Sequence, residues 1–528
     1  MNTVDQRPIA VETGAPALRI LVFPNTYRDS VELMRVAAQL EGVPGVTRAG
    51  VVMATPANQA VLADAGLLAN EARAAGPNDL VVAIAGTDVG VEPASSLARQ
   101  LLAGQAAPRH DRRGPTTPRT LAEATAAVRD SRLALISVPG TYASAEAFKA
   151  LKRGLHVFMF SDNVPVEDEI ALKHLARRKG LLMMGPDCGT AILDGIPLGF
   201  ANAVRRGPIS IVAASGTGLQ QVACLVDRAG VGLSQAIGVG GRDLDERVGG
   251  PMMLAGIDRL AADSATRVLV LLSKPPAPSV ANRVLDAARA TGKPVIVNFL
   301  GAEADVRQDG NLVHVPTLED AARWAIARVH DAGAPPTSSM TDQDRGWATE
   351  EARHFRPGQS RIRGLYSGGT LAKEATLLLR RLLPGRGEDI DVIDLGDDEF
   401  TVGRPHPMID YRLRNTHIIE AGQDPRTAVI LLDVVLGFGS HMDPAAELGP
   451  AIQQAHERAI AAGRSLCVVA SVCGTQADPQ VLSDQESRLL QAGVTLAPSN
   501  AQAARLAALL LQGAPSPSRR GEPQEVAP

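Results

Sequence analysis

The chain has 528 residues, which is too long for a single hydrophobic core and predicts roughly three domains. Its content of 45% hydrophobic and 21% charged residues is ordinary for a soluble globular enzyme. The formal net charge of −4 and the dispersed Lys and Arg residues lack the basic footprint of a protein that binds nucleic acid or anionic membranes.

The sequence shows no pattern typical of a membrane span, a signal peptide or paired cysteines. No apolar run reaches the ~18 residues needed to span a bilayer, and the start from Met1 to Gly14 is charged without an apolar signal region. The cysteines show neither CxxC pairing nor the spacing of metal ligands; they are Cys188, Cys224, Cys467 and Cys473. We therefore predict a cytoplasmic protein with free thiols, no metal site and no contact with membrane or nucleic acid.

The first third of the chain alternates short apolar runs with helical patterns, which indicates α/β layers on parallel sheets. We predict one Rossmann-like domain over residues 15-205, with helices at Ala143–Lys152 and Val166–Lys179. The Pro-, Gly- and Arg-rich segment about 104-118 predicts an exposed loop insertion. The predicted strands are Arg19–Phe23, Leu80–Ile84, Leu133–Val138, Leu155–Phe160 and Leu181–Met184.

Two further α/β units follow, over residues 206-330 and 361-512. The segment 331-360 is rich in Pro, Ser, Thr and charge and predicts a linker, whereas residues 513-528 predict a disordered tail. The third unit repeats the order of the second, so we interpret the pair as a duplicated domain. The strands predicted in the second unit are Ile209–Ala213, Ala236–Val239, Val268–Leu272 and Pro294–Phe299; in the third, Val429–Asp433 and Leu466–Ala470 match the last two of these.

Each of these two units opens with a strand, a turn of small residues and an amphipathic helix. Such a turn exposes backbone N–H groups beside the positive end of the helix dipole, which favours a phosphoryl group. A turn of this kind also occurs as an ordinary structural loop, but its repetition predicts two helix N-termini that converge on one anion. The predicted phosphate-binding residues are Ser215, Gly216, Thr217, Gly218, Ser367, Gly368, Gly369 and Thr370.

Several familiar nucleotide and hydrolase motifs are absent from the sequence. No Gly-x-x-x-x-Gly-Lys-Ser/Thr occurs, so there is no P-loop for a nucleoside triphosphate. Pro24-Asn25-Thr26 follows the first strand in place of Gly-x-Gly-x-x-Gly, which argues against a dinucleotide site. Neither His-Glu-x-x-His nor Gly-x-Ser-x-Gly is present, so the zinc-protease and α/β-hydrolase classes lose their usual signatures.

Three segments resemble successive motifs of the succinyl-CoA synthetase α subunit: Gly185–Gly189, Ala214–Thr217 and Gly238–Asp243. Upstream, Val138–Thr141 and Ser161–Asn163 resemble the CoA-binding domain of that family. With Ser273–Pro276 and Thr401–Asp410, nearly the whole chain is similar to the FdrA family. The resemblance implies an α/β fold in which a Rossmann-like CoA-binding-type domain precedes two tandem flavodoxin-like ligase domains of the synthetase type.

The sequence departs from the synthetase at the residue that carries phosphate. The resemblance implies a histidine in a Gly-His-Ala-Gly loop after the last strand of the second unit, but Phe299–Asp305 contains none. The glutamate that would orient a phosphohistidine is replaced by Ser273-Lys274-Pro275. His314, the nearest histidine, lies in another strand-like run. The chain thus retains a predicted phosphoryl site without a means of charging it from ATP.

Four residues outside the turns are candidates for the chemistry. We predict Lys274, at the end of a strand, and His406, in a proline-rich loop, as catalytic residues. Arg404 and Asp410 of the same loop are predicted to bind substrate, since a guanidinium pairs with a carboxylate. Each also fits a structural role, as a solvated loop lysine or as a loop held by its own hydrogen bonds.

Three further features fit structural roles better than a chemical one. The acidic run Asp394–Glu399 has the ligands of a Mg²⁺ site but is more typical of a polar turn. Cys188 follows a tight turn, and no neighbouring cation in the sequence would lower the pKa of its thiol. Asp162 and Asn163 follow a strand and fit a turn or helix cap.

The resemblance implies a function for the retained site. Some FdrA relatives are similar to a subunit of oxamate carbamoyltransferase, which converts oxalurate and phosphate to oxamate and carbamoyl phosphate in ureide (allantoin) catabolism. We therefore expect a transferase subunit in a hetero-oligomer, with carbamoyl phosphate or phosphate and oxamate or oxalurate as substrates; CoA binding stays open. The alternatives are an acyl-CoA synthetase that borrows a nucleotide-binding subunit, and a non-catalytic scaffold.

Overall fold

The computed structural model describes residues 17–26, 28, 30–103, 118–302, 305–336, 338–401 and 405–515. The chain divides into two compact units. One comprises Met1–Thr117 with Val402–Pro405, and the other comprises Pro118–Thr401 with His406–Pro528. Each unit has its own sheets and its own buried core.

The first unit contains a three-stranded antiparallel sheet with β3 in the middle, in the order β1-β3-β2. Alternate residues of β3 pack against two separate apolar clusters, one on each face of the sheet. Its strands are β1 (Ala17–Phe23), β2 (Val46–Met53) and β3 (Leu80–Gly86). Its helices are α1 (Ser30–Glu41), α2 (Pro56–Asp64), α3 (Asn70–Ala74) and α4 (Asp88–Ala103).

This antiparallel sheet corrects the prediction of one Rossmann-like domain over residues 15-205. Two of its strands lie where the apolar runs predict them, but β2 was missed because Thr47 and Arg48 interrupt its apolar pattern. The parallel strands of the same range form a second sheet, in the other unit. The predicted loop insertion at 104-118 lies outside the described residues except for Pro118.

The second unit begins with a small parallel sheet in the order β4-β5-β6. Its strands are β4 (Leu133–Ile136), β5 (His156–Met159) and β6 (Met183–Met184). The helices α5 (Leu121–Ala127), α6 (Gly140–Lys152) and α7 (Val166–Arg178) accompany it. All three predicted strands and both predicted helices of this part are confirmed, with ends that shift by one to three residues.

An eight-stranded sheet follows, in the order β13-β14-β12-β11-β9-β10-β7-β8. Its central strands are parallel and almost wholly buried, as their continuous apolar runs predict. The strands are β7 (Thr190–Leu193), β8 (Ile196–Gly199), β9 (Arg206–Ala214), β10 (Leu233–Gly238), β11 (Val268–Ser273), β12 (Val295–Phe299), β13 (Arg307–Asp309) and β14 (Leu312–His314). The helices are α8 (Gly216–Arg228), α9 (Pro251–Ala262), α10 (Pro278–Ala290) and α11 (Leu318–Val329).

The last sheet has five parallel strands in the order β16-β15-β17-β18-β19. These are β15 (Arg361–Tyr366), β16 (Ile390–Asp394), β17 (Thr427–Val435), β18 (Cys467–Cys473) and β19 (Val494–Ala497). The helices are α12 (Asp342–Ala352), α13 (Gly369–Leu382), α14 (Asp398–Thr401), α15 (Arg412–Gln423), α16 (Pro444–Ala461), α17 (Leu482–Gln491) and α18 (Asn500–Gly513), with a 3₁₀ turn at Gly387–Asp389.

The strand order supports a duplicated domain. The series β10-β9-β11-β12-β14 and the series β16-β15-β17-β18-β19 both follow the flavodoxin-like order 2-1-3-4-5. In both domains the first strand leads through the small-residue turn into a helix, α8 or α13. The α/β class with parallel sheets is thereby confirmed, and the two helices contact each other inside one shared apolar core.

Two predicted boundaries change in the structure. The segment 331-360, predicted as a linker, contains α12, whose start is closed by a capping box between Thr341 and Asp344. This helix packs against α18, so the segment is part of the fold. Of the predicted tail 513-528, Gly513 ends α18 and residues beyond 515 lie outside the described part of the chain. Among the helices that the structure describes, none combines the length and apolarity needed to cross a membrane.

Candidate functional site

The two small-residue turns meet where α8 and α13 begin. Ser215 caps α8 by accepting a hydrogen bond from the Gly218 N–H at 3.0 Å, and its Oγ lies 2.6 Å from Thr370 Oγ1. A Cβ on Gly368 would lie 2.8 Å from Thr217 Cγ2, so only glycine allows this approach. The predicted convergence of the two helix N-termini is therefore present in the structure.

A buried carboxylate holds the second turn. Asp433 of β17 accepts hydrogen bonds from the N–H groups of Ser367 and Gly368, both at 2.8 Å, and from Ser367 Oγ at 3.1 Å. Asp433 is in turn paired with Arg414 at 2.8 Å, and neither side chain is exposed. The amides of Ser367 and Gly368 thus bind Asp433, which corrects their prediction as phosphate ligands.

The first turn of α13 stays without a side-chain cap, because its N-cap residue is Gly368. Gly369 and Thr370 follow, and their amides lie at the positive end of the helix dipole. The Gly218 amide is used by Ser215. The backbone N–H groups that remain candidates for binding an anion are those at the start of the two helices, at residues 216, 217, 369 and 370. That they bind an anion stays a prediction.

Lys274 and Asp394 lie together over Gly369. Lys274 follows the last residue of β11 and is exposed, and Asp394 ends β16. A Cβ on Gly369 would lie 2.3 Å from Asp394 Oδ2 and 3.6 Å from Lys274 Nζ. The carboxyl ends of strands from the two duplicated domains thus bring a cation and a carboxyl to the start of α13.

Partial burial raises the pKa of the Asp394 carboxyl to about 6. The hydrogen bond from the Gly396 N–H, at 3.0 Å, and the charge of Lys274 oppose this rise, whereas Asp433 and Asp397 add to it. Asp394 therefore changes its protonation state close to neutral pH.

His406 and Asp394 both pack against Gly396. Its Nδ1 accepts a hydrogen bond from the Met408 N–H at 3.2 Å, which leaves the proton of the neutral ring on Nε2. Burial, with the Phe200 ring centroid at 5.4 Å, lowers the pKa of His406 to about 4. A Cβ on Gly396 would lie 3.0 Å from His406 Nε2 and 3.2 Å from Asp394 Oδ1, so both side chains lie close to this glycine. At neutral pH His406 is therefore a hydrogen-bond donor.

Asp187, in the segment between β6 and β7, lies close enough to Lys274 for their charges to interact. Desolvation raises the pKa of Asp187 to about 6, the nearby carboxylates of Asp162 and Asp398 raise it further, and Lys274 and Arg242 lower it. Asp187 is exposed as a residue, whereas neighbouring atoms crowd its carboxyl group. Its φ of 52° places a non-glycine residue in the left-handed region, a conformation that is uncommon outside sites under constraint. We call Lys274, Asp187, Asp394 and His406 the Lys274 cluster.

The remaining predicted site residues lie elsewhere or outside the described residues. Arg404 falls in the undescribed gap at 402–404. Asp410 accepts hydrogen bonds from the Arg412 N–H and Nε at 2.9 Å, so both of its oxygens anchor the start of α15. Asp410 thus has a partner within the chain, and its role as a substrate ligand stays a prediction. Burial raises the pKa of the Cys188 thiol to about 12, which agrees with a structural thiol. In the described part of the chain, no three His, Cys, Asp or Glu side chains are placed to share a metal.

Sequence reasoning missed a buried ionic network next to Asp187. Lys173 is fully buried and pairs with Glu169 and Asp243, each at 2.8 Å. Arg242 joins the network through Glu169 at 2.9 Å, and Asp243 caps α9 by accepting from the Met253 N–H at 2.8 Å. The sequence motif Gly240–Asp243 singled out the loop that holds Arg242. Nothing in the sequence indicated that Lys173 is buried, because a lysine within a helical pattern is ordinarily exposed. The network fixes the loop that places Arg242 near Asp187.

Comparison with known proteins places the chain near the CoA ligases. A family model described as "CoA-ligase" matches residues 365–510. The chain is 30% identical to the succinate–CoA ligase [ADP-forming] subunit alpha-2 of Trichomonas vaginalis, over 33% of this chain and 58% of that protein. Among solved structures, acetyl-coenzyme A synthetase 1 of Ca. Korarchaeum cryptofilum covers 72% of this chain and 82% of its own length, with 16% identity and a TM-score of 0.28.

A second family model, described as "AllF, heavy metal-associated domain", matches residues 17–118. The matched range contains no cysteine, and its one histidine is His110. Heavy metals that favour soft ligands are held mainly by thiolates; the range offers two methionines and no thiolate, so these residues do not fit such a metal. The name of this family model is therefore no reason to assign a metal site to this chain.

The uncharacterized protein YahF of Escherichia coli K12 is 42% identical to this chain over 512 residues. The aligned part covers 93% of this chain and 98% of YahF, and it therefore includes the turns and the Lys274 cluster. The similarity extends over both compact units, so the chain belongs to the same family as YahF.

Proposed function

We propose that this chain is one subunit of a carbamoyltransferase that acts through an acyl phosphate. Its reaction would be the conversion of oxalurate and phosphate to oxamate and carbamoyl phosphate. The observation that carries the proposal is the meeting of two helix N-termini below Lys274 in a chain whose 299–305 loop has no histidine. An anion site without a phosphate carrier suits acyl transfer to or from phosphate.

The positive groups at the start of α13 would attract a phosphate. The uncapped amides that open α13 and the positive end of its dipole attract an anion, and Lys274 adds a full positive charge. Donors fixed in this way stabilise the charge that develops on phosphate as the bond to the acyl carbon breaks or forms. Carbamoyl phosphate is an acyl phosphate, so an anion site inherited from a CoA ligase would suit it.

The substrate assignment rests on resemblance. The chain is similar to the FdrA family, some of whose members are similar to a subunit of oxamate carbamoyltransferase, and the domain at residues 17–118 matches the model that bears the name AllF. Oxalurate and oxamate each carry a carboxylate beside a carbonyl, and a guanidinium such as that of Arg404 forms a two-pronged hydrogen bond with this group. Other subunits would complete the enzyme as a hetero-oligomer.

A second candidate function is acyl-CoA synthesis with a separate nucleotide-binding subunit. The match of residues 365–510 to the CoA ligases favours it. In that reaction a histidine carries phosphate between nucleotide and acyl group, and the loop Phe299–Asp305 supplies none. His314, the nearest histidine, lies in β14 and is almost fully buried. We therefore place this function second.

One experiment separates the two functions. The chain is purified with the proteins encoded beside its gene and incubated with oxalurate and phosphate, without nucleotide or CoA, and carbamoyl phosphate is measured. A parallel incubation with γ-labelled ATP or GTP tests for phosphohistidine, recognised as an acid-labile, base-stable label. We expect carbamoyl phosphate and no labelled protein. A labelled histidine together with CoA-dependent acyl transfer would replace the proposal by the synthetase function.

A further inference from the structure

Phosphorolysis of oxalurate requires a proton donor at nitrogen. An unprotonated oxygen of HPO₄²⁻ attacks the carbamoyl carbon, and the C–N bond to oxamate then breaks. The departing amide nitrogen is a poor leaving group unless it receives a proton as the bond breaks. The proton on the transferred phosphate is lost when carbamoyl phosphate leaves as its dianion. The proton that nitrogen gains equals the proton that phosphate loses, so net charge is unchanged. A single group that gives a proton to nitrogen and takes one from the phosphoryl group can therefore carry both transfers.

Asp394 is placed for this exchange. Its Oδ2 lies over the first turn of α13, where a Cβ on Gly369 would approach it to 2.3 Å. Its Oδ1 accepts a hydrogen bond from the Gly396 N–H at 3.0 Å, which fixes the carboxyl plane. Lys274 lies on the same side of Gly369. A phosphate held by Lys274 and the opening amides of α13 would therefore have the Asp394 carboxyl beside it.

The charged and titratable groups around Asp394 come from four segments. Lys274 follows β11, Asp433 lies in β17, Asp397 belongs to the turn after β16, and His406 lies in the loop before α15. The ammonium of Lys274 favours the carboxylate, the two aspartates and partial burial favour the carboxylic acid, and the pKa comes to about 6. Both protonation states are thus populated near neutral pH, as a group that exchanges protons in each turnover requires.

His406, the expected proton carrier, is less suited to this role. Burial lowers its pKa to about 4, and the hydrogen bond from the Met408 N–H fixes the neutral ring with its proton on Nε2. This neutral donor and Asp394 Oδ1 both lie close to Gly396. Its geometry suits a hydrogen bond to a carbonyl or carboxylate oxygen of the substrate.

We propose that Asp394 is the general acid–base residue of the reaction, which rests on the function proposed above. The Asp394 carboxylic acid gives its proton to the departing oxamate nitrogen as the C–N bond breaks, and the carboxylate then takes the proton of the newly bound phosphoryl group. In the reverse direction the carboxylate removes a proton from the oxamate nitrogen as this nitrogen attacks the carbamoyl carbon, and phosphate leaves with that proton.

The test uses the complete enzyme assembly and the synthesis of oxalurate from carbamoyl phosphate and oxamate. We expect Asp394→Asn to lower kcat by roughly 10²- to 10⁴-fold, the usual contribution of a positioned acid–base group. The wild-type rate should fall as the pH drops below about 6, because the Asp394 carboxylate that acts as the base becomes protonated. In Asp394→Asn this decrease at acid pH, the acid limb of the pH profile, should disappear. Asp394→Glu retains a carboxyl and restores part of the rate together with the limb.

Asp391→Asn is the matched control. It makes the same change on the same strand, and Asp391 pairs with Arg363 away from Gly369. We expect it to keep the wild-type rate and pH profile, and thermal melting establishes that every variant is folded. If folded Asp394→Asn keeps the wild-type rate or its acid limb, the assignment of Asp394 is overturned and the carbamoyltransferase function stands. If the wild-type assembly forms no oxalurate, the function fails, and the assignment fails with it.

Discussion

Replacing Asp433 by alanine tests whether a buried ion pair holds the second turn. Asp433 accepts hydrogen bonds from the amides of Ser367 and Gly368 and pairs with Arg414 at 2.8 Å. Arg414 also donates to the backbone oxygen of Leu365 at 2.7 Å, and its side chain is fully buried. Asp433→Ala therefore leaves a buried guanidinium without a counterion and two turn amides without an acceptor.

The expected loss of stability is large for a single substitution. Removing one partner of a buried ion pair costs about 3–5 kcal/mol, since the remaining charge stays desolvated. For a domain of this size each kcal/mol lowers Tm by about 2–4 °C, so we expect a decrease of roughly 6–20 °C. Adding Arg414→Met removes the unpaired charge and should recover part of this loss.

Differential scanning calorimetry of the wild type, both single variants and the double variant measures these changes. Asp391→Ala is the control, because the pair of Asp391 with Arg363 is only partly buried. An exposed or half-exposed pair contributes about 0–1 kcal/mol, so the control should melt within a few degrees of the wild type. If Asp433→Ala melts as the control does, Asp433 does not hold the turn as described.

Three further substitutions separate structure from activity. Gly369→Ala should leave the protein folded yet abolish carbamoyl transfer, because its Cβ would lie 2.3 Å from Asp394 Oδ2 and must displace that carboxyl. Gly346→Ala on α12, with open space around it, is the control that keeps activity. Lys274→Met should raise the KM for phosphate with little effect on melting, since Lys274 is exposed. The pKa of buried Glu374 is raised to about 7, so wild-type stability should fall as the pH rises from about 4.5 to 7, and this decrease should shrink in Glu374→Gln when melting is followed across that range.

The duplicated ligase domains could be predicted from the sequence because their strands are continuous apolar runs separated by turns. The strand order in both follows the flavodoxin-like series, and the two small-residue turns meet as their repetition predicts. The first domain could not be predicted in the same way. Apolar runs show where β1 and β3 lie but not that they pair antiparallel, since pairing depends on contacts distant in the sequence.

The candidate site was predictable only in its outline. Lys274 and His406 stand out by their strand-end and loop positions, but the sequence carries no sign that burial makes His406 a neutral donor. Asp394 was assigned to a polar turn because an acidic run is ordinarily solvated. Its proximity to Gly369 depends on the packing of β16 against α13, and this packing is what places a carboxyl of raised pKa at the predicted anion site.

The most direct test of carbamoyl transfer follows the carbon that moves. The assembly is incubated with ¹³C-labelled carbamoyl phosphate and oxamate, without nucleotide or CoA, and the reaction is monitored by ¹³C NMR. The account predicts that the label passes to the ureido carbon of oxalurate while phosphate appears in equal amount. Decay of carbamoyl phosphate only at the rate seen without protein, with no labelled oxalurate, would contradict it.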